Sequence, residues 1–262
     1  MLYYKLYNHP TSTEWVTFIH GAGGSSSVWY RQIRDFKEHF NILLIDLRGH
    51  GRSKMNLSSI KNYTFEVISK DVLEVLNHLK IQSSHFVGIS LGTLIIRELA
   101  QLNSNIVKTM ILGGAVMKLN VKSQILMRMG MLLKSVLPYM VLYRIYAWII
   151  IPNHKYRESR YLFIREAKKL YQKEFLRWFK LTAHINRVLK IFREEMSGIP
   201  ALYIMGSEDH MFLPSVKDVV QHHTHATLHI ISQSGHVVNV DRPEEFNKVS
   251  IQFIKDYFSR YS

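Results

Sequence analysis

His85-Phe-Val-Gly-Ile-Ser90-Leu-Gly-Thr-Leu-Ile-Ile-Arg-Glu98 is the stretch on which the reading of this chain turns. Phe86 to Ile89 reads as a short buried strand and Ser90 as a turn. Leu94, Ile95 and Leu99 then recur as the apolar face of a helix. Gly88 and Gly92 stand two residues either side of the serine. A strand that turns directly into a helix forces its apex residue into a strained conformation, and side chains at the flanking positions would crowd the bend. The product is a hydroxyl held out at the carboxyl end of a sheet, beside a helix N-terminus that favours developing negative charge.

Upstream of this stretch, Leu2 to Tyr7 alternates as an edge strand, and Glu14 to His20 is a more buried one. A glycine-rich turn, His20-Gly-Ala-Gly-Gly-Ser25, leads to a helical pattern from Val28 to Phe36. Asn41 to Asp46 is a continuous apolar strand. Phe65, Ile68, Val72, Val75, Leu76 and Leu79 mark one helix face, and Ile106 to Gly113 is a further strand. Strands alternating with helices predict a parallel sheet covered on both sides. After Gly114 the alternation stops, and residues 117–195 carry helical, basic and aromatic sequence. It resumes with a strand at Ile199 to Gly206, a helix near Ser215 to His222, a strand at Thr227 to Ser232 and a last helix from Pro243 to Tyr261. The expected organisation is one core domain, residues 1–116 and 196–262, with a helical insertion at 117–195.

A chain of 262 residues with 47% apolar composition can bury a full core. It has no cysteine, which removes disulfides, thiol catalysis and thiolate metal sites. The first residues lack the apolar run of a secretory signal, so a cytoplasmic location is expected. The net charge of +14 is localised: residues 118–195 hold 17 Lys and Arg against 5 Asp and Glu. This basic face suits an anionic membrane surface or an acidic substrate, with a merely solvated helix surface as the rival reading. No nucleic-acid motif accompanies it, and no nucleic-acid partner is expected. Val136 to Ile151 is too short to span a bilayer and carries Pro138 and Arg144. It reads as a helix packed over a pocket, with interfacial attachment as the second reading.

A serine hydroxyl needs an adjacent base that a third group orients. Ser90, Asp209 and His236 each follow a predicted strand at its carboxyl end, and in a parallel sheet those ends share one edge. There His236 takes the serine proton while a carboxylate fixes the imidazole. Glu208 and Asp241 are rival carboxylates. His222, His223, His225 and His229 lack a carboxylate ligand partner, so no metal is expected. The glycine-rich turn lacks the spacing of a dinucleotide fingerprint and the Lys-Ser/Thr of a P-loop, so no cofactor is expected either. His20 reads as shaping its loop, and His50 and Arg52 as holding their turn. Met127, Met129, Met131, Tyr143, Tyr146, Trp148 and Trp178 read mostly as core, some of them facing a pocket.

These motifs together resemble the α/β-hydrolase family over nearly the whole chain outside the insertion. The matching segments are His20-Gly-Ala-Gly-Gly24, Asp46-Leu-Arg-Gly-His-Gly-Arg-Ser53, Tyr63-Thr-Phe65 before Asp71, the Ser90 turn, Asp209 and Gly235-His236. The resemblance implies the α/β-hydrolase fold: a mostly parallel sheet flanked by helices, with a helical cap inserted after the sixth strand. It places the acid at Asp209 and the oxyanion hole at the backbone N–H groups of Ala22 and Leu91. It implies a serine hydrolase acting on an amphiphilic carboxylic ester with an apolar acyl portion, of carboxylesterase or monoacylglycerol-lipase type. Thioester, amide and C–C hydrolysis, or ligand binding with little turnover, are the alternatives. Family members that cleave epoxides or carbon–halogen bonds use an aspartate where Ser90 stands. The chain departs from the pattern in a shortened first hairpin and in Thr93, where many relatives have glycine.

Overall fold

A computed structural model describes residues 1–54, 63–118, 121–133, 137–183, 185, 189–190 and 198–261. The strands are Tyr4–Tyr7 (β1), Trp15–Ile19 (β2), Asn41–Ile45 (β3), Ser84–Ile89 (β4), Val107–Gly113 (β5), Ala201–Gly206 (β6) and Ala226–Ile231 (β7). They form one seven-stranded sheet in the order β1-β3-β2-β4-β5-β6-β7. β1 runs antiparallel to β3, and every other pair is parallel. Apolar runs such as Ile42-Leu-Leu-Ile45 form these strands because both sheet faces are covered. Ile42 and Leu44 enter one core cluster while Leu43 and Ile45 enter the other, the period of two that a strand dictates.

The helices between the strands supply those covers. Tyr30–Phe36 (α1) lies on one face, and Phe65–His78 (α2) and Leu91–Leu102 (α3) on the other. Thr64 caps α2, its hydroxyl accepting from the Val67 N–H, and the face expected from the sequence is the buried one. Among the described residues, the helices after β5 include Val121–Leu133 (α4), Tyr139–Ile150 (α5), Arg157–Ala167 (α6) and Gln172–Ala183 (α7). After β6 come Leu213–Val220 (α8), the short Val238–Asp241 (α9), which sequence periodicity does not reveal, and Pro243–Tyr261 (α10). The expected end of the insertion, at residues 195–196, lies outside the described residues.

The insertion leaves the sheet after the fifth strand rather than the expected sixth. Only a short link, residues 8–14, joins β1 to β2, so the amino-terminal edge contributes one antiparallel strand and no hairpin partner. Because β2 to β7 run parallel, the loops after β2, β3, β4, β6 and β7 all emerge along one edge of the sheet. A buried ion pair braces that edge. Arg48, in the loop after β3, donates from Nε (2.7 Å) and Nη2 (2.5 Å) to the Asp71 carboxylate on α2.

Candidate active site

The turn after β4 is as tight as the glycine spacing predicts. Ser90 sits at φ 53° and ψ −121°, a backbone region that costs a side-chain-bearing residue energy and persists only where the surroundings impose it. They do so through three hydrogen bonds. The Ser90 N–H donates to Gly113 O at 2.9 Å. Its carbonyl accepts from the Thr93 N–H at 3.0 Å and the Thr93 hydroxyl at 2.6 Å. Thr93, a departure from the family pattern, therefore anchors the turn. A Cβ on Gly92 would lie 2.3 Å from the Ile19 carbonyl oxygen, and one on Gly88 would lie 2.6 Å from Ile96 Cδ1 and 3.0 Å from Gly92. Gly92→Ala is thus expected to push α3 off the end of β2. It should destabilise the fold by about 1–3 kcal/mol or more, read as a lowered melting midpoint.

Asp209 and His236 meet the serine from the loops after β6 and β7, along the same sheet edge. His236 Nε2 lies 2.9 Å from Ser90 Oγ, and His236 Nδ1 lies 2.8 Å from Asp209 Oδ2. Asp209 is itself fixed, its Oδ1 accepting from the Phe212 N–H at 3.1 Å. Asp209 and His236 are buried, while Ser90 retains partial exposure. Neither rival carboxylate reaches the imidazole's Nδ1. Glu208 turns outward to Lys155 and Asn153. Asp241 accepts from the Gly235 N–H and the Ser159 hydroxyl. With Nδ1–H donated to Asp209, Nε2 is the acceptor facing the serine, so this chain of three can move a proton off Oγ.

The loop after β2 packs directly on the turn, with a Cβ built on Gly21 falling 3.2 Å from Ser90 Cβ. Among the described residues, neither the Ala22 nor the Leu91 N–H has a hydrogen-bond partner in the chain. Leu91 opens α3, where the first N–H groups of a helix lack intrahelical acceptors. Two histidines hold this loop in place. His20 pairs its Nδ1 with Gly21 O and accepts the Leu47 N–H on Nε2. His50 pairs Nδ1 with Arg48 O, within its own turn, and accepts the Gly23 N–H on Nε2 across 27 residues. The role of His50 therefore extends beyond the turn-holding expected of it. Burial lowers the pKa of His20, and that of His50 still further, keeping both neutral and their donor and acceptor nitrogens fixed.

The inserted helices close over this edge. Tyr143 on α5 donates to Ala22 O at 3.1 Å, and burial raises its pKa well above the usual range. Trp178 Nε1 on α7 donates to Arg48 O at 3.0 Å, and Tyr63 pairs with Glu174. Glu166 on α6 accepts from the Ser25 hydroxyl at 2.7 Å and lines the small cavity, about 40 Å³, that contains Ser90 and His236. Burial pushes the Glu166 carboxyl up, but hydrogen bonds from Lys169 and Ser25 outweigh it and the pKa is lowered. A larger cavity of about 160 Å³ shares Ala22 and Phe163 with the first. Tyr143, Tyr146, Leu170, Phe175, Trp178 and Phe179 wall it. Tyr143, Tyr146 and Trp178 thus face a pocket as expected, whereas Met129 and Trp148 are about half exposed instead of core. The Met127 and Met131 side chains lie outside the described part.

Of the remaining sequence candidates, His222 pairs with the backbone at Asp218 O and His229 with Glu245. No group of three potential metal-binding side chains occurs among the described residues. Glu166 and Ser159 escape sequence reading, since nothing in a basic helical segment distinguishes the side chains that turn toward a distant serine.

Residues 14–140 match the family model described as alpha/beta hydrolase fold. The chain is 25% identical over 250 residues to "Putative carbamate hydrolase RutD" of Agrobacterium fabrum, covering 89% of this chain and 90% of the relative. It is 33% identical over 87 residues to "3-oxoadipate enol-lactonase 1" of Acinetobacter baylyi, a match spanning only 33% of this chain and 31% of that relative. The solved enol-lactonase of Burkholderia xenovorans shares the fold, with a TM-score of 0.79 at 20% identity over 97% of this chain and 96% of that one. This chain has the α/β-hydrolase fold.

Proposed function

We propose that this chain is a serine hydrolase that cleaves carboxylic esters with an apolar acyl group through an acyl-enzyme on Ser90. The observation that carries the reading is the aligned Ser90, His236 and Asp209 opening beside an apolar cavity. His236 Nε2 takes the Ser90 proton as Oγ bonds to the ester carbonyl carbon. The oxyanion forms against the Ala22 and Leu91 N–H groups, each worth a few kcal/mol to the transition state. The intermediate collapses, the C–O bond breaks, and His236 returns the proton to the departing alkoxide. Water then repeats the cycle on the acyl-enzyme, releasing the acid.

The lining supports a neutral, apolar acyl group. Among the described residues that line the two cavities there is no Lys or Arg to receive an anionic acyl chain, and the one carboxylate, Glu166, is already paired with Lys169 and Arg165. A substrate with an apolar tail and a polar alcohol, such as a monoacylglycerol or a lysolipid, fits both the cavity and the basic exterior. A p-nitrophenyl ester series tests this, with a thioester, a carbamate and a lactone alongside. kcat/KM should rise roughly fourfold per acyl methylene until the cavity is full, and fall when the chain ends in a carboxylate. A flat series, or preference for the anionic acyl group, would contradict it. Faster turnover of the carbamate or lactone would move the reading toward the activities for which those relatives are named.

A further inference from the structure

The exposed apolar surface of this molecule is concentrated on the insertion. Ten of the fifteen exposed large apolar side chains among the described residues lie between 125 and 171. Eight of them form two helical stripes. Ile125, Met129, Leu132 and Leu133 follow one another at spacings of four, three and one along α4, and Leu132 is 76% exposed. Val141, Ile145, Trp148 and Ile149 repeat the same spacings along α5. These spacings place each set on one side of its helix.

The opposite sides are packed. On α5, Tyr143 and Tyr146 wall the large cavity, and on α4 a Cβ at Gly130 would overlap Tyr146 and approach Phe179. α5 is therefore apolar on both sides, inward to the cavity and outward to solvent, and α4 sets Gly130 against Tyr146 while its outward side is apolar too. Charge accompanies the outward side. Arg128 and Arg144 are exposed within the stripes and have no acidic partner among the described residues. Residues 118–195 carry most of the net charge of +14. Neither helix can cross a bilayer: α5, at 12 residues, is about 18 Å long against a hydrocarbon core of about 30 Å. Short helices with apolar residues, a tryptophan and arginines on one side lie in a lipid interface.

We propose that the outward stripes of α4 and α5 dock on an anionic phospholipid bilayer, with Arg128 and Arg144 meeting headgroup phosphates. A second copy of this chain would set arginines against arginines, which is why a lipid surface is the better complement. Docking there brings the roof of the apolar cavity to the membrane, whatever bond the serine cleaves.

Sedimentation with vesicles of mixed phosphatidylcholine and phosphatidylglycerol, against pure phosphatidylcholine, tests this. The wild-type chain should partition into the anionic vesicles and be released as salt rises. Leu132→Ser with Ile145→Ser should weaken partitioning by roughly tenfold or more. Arg128→Gln with Arg144→Gln should weaken it by roughly thirtyfold. Unchanged melting midpoints would certify that these exposed substitutions leave the fold alone. Equal binding to both vesicle types, or failure of the wild type to bind either, would overturn the proposal. So would concentration-dependent self-association in sedimentation velocity, abolished by the apolar pair, in a protein that ignores vesicles. That last result would assign the face to a second copy.

Discussion

Ser90→Ala is expected to lower kcat on an apolar ester by roughly 10⁵-fold, with a melting midpoint close to that of the wild type. The size follows from what disappears. Without Oγ no acyl-enzyme forms, and the Ala22 and Leu91 N–H groups can at most assist direct attack by water. The fold should tolerate the change, because the turn is held by the backbone of Ser90, through Gly113 O and through Thr93, and not by its hydroxyl. Alanine occupies the same strained φ with the same Cβ, so neither relief nor new strain is introduced. Steady-state kinetics beside a thermal melt would check both halves. Activity within tenfold of wild type would remove Ser90 from the chemistry.

Asp209→Asn is expected to cost roughly 10³- to 10⁴-fold in kcat with KM little changed. Both carboxylate oxygens are used as acceptors, Oδ2 from His236 Nδ1–H and Oδ1 from the Phe212 N–H. An asparagine side chain supplies only one acceptor in place of two. If its NH₂ faces His236, Nδ1 must become the acceptor, the proton moves to Nε2, and the imidazole can no longer take a proton from Ser90. If its oxygen faces His236, the NH₂ confronts the Phe212 N–H, and the loop carrying residue 209 must shift. The base is thus either in the wrong tautomer or displaced from Ser90, while the cavities keep their walls. Asp241→Asn would separate this account from a general charge effect. Asp241 lies near the histidine but bonds Gly235 and Ser159, so its replacement should leave the tautomer of His236 untouched.

Much of this site was legible in the sequence because its signals are local. Two glycines around a serine, between an apolar strand and an amphipathic helix, specify a turn geometry, and the geometry exposes the hydroxyl. Gly88 and Gly92 have the close backbone neighbours that such a bend implies. Asp209 and His236 were legible because a parallel sheet gathers strand ends at one edge, whatever their separation along the chain. The illegible parts depend on tertiary docking. Glu166 reads as one more charge on a basic helix until Ser25, 141 residues away, is found against it. Thr93 looked like a departure from the family pattern, yet its hydroxyl does structural work that a glycine cannot. Met129 and Trp148 read as core by residue type, and only the packing of α4 and α5 reveals them as surface. The single antiparallel edge strand likewise displaced the insertion by one strand from its expected place.

Labelling by a fluorophosphonate probe tests most directly that Ser90 is an activated nucleophile. The wild-type protein should be modified at a single site, with the adduct mapped by mass to the peptide that contains Ser90, and Ser90→Ala should not label. A folded wild-type protein that fails to react, or an adduct on any other residue, would contradict the account.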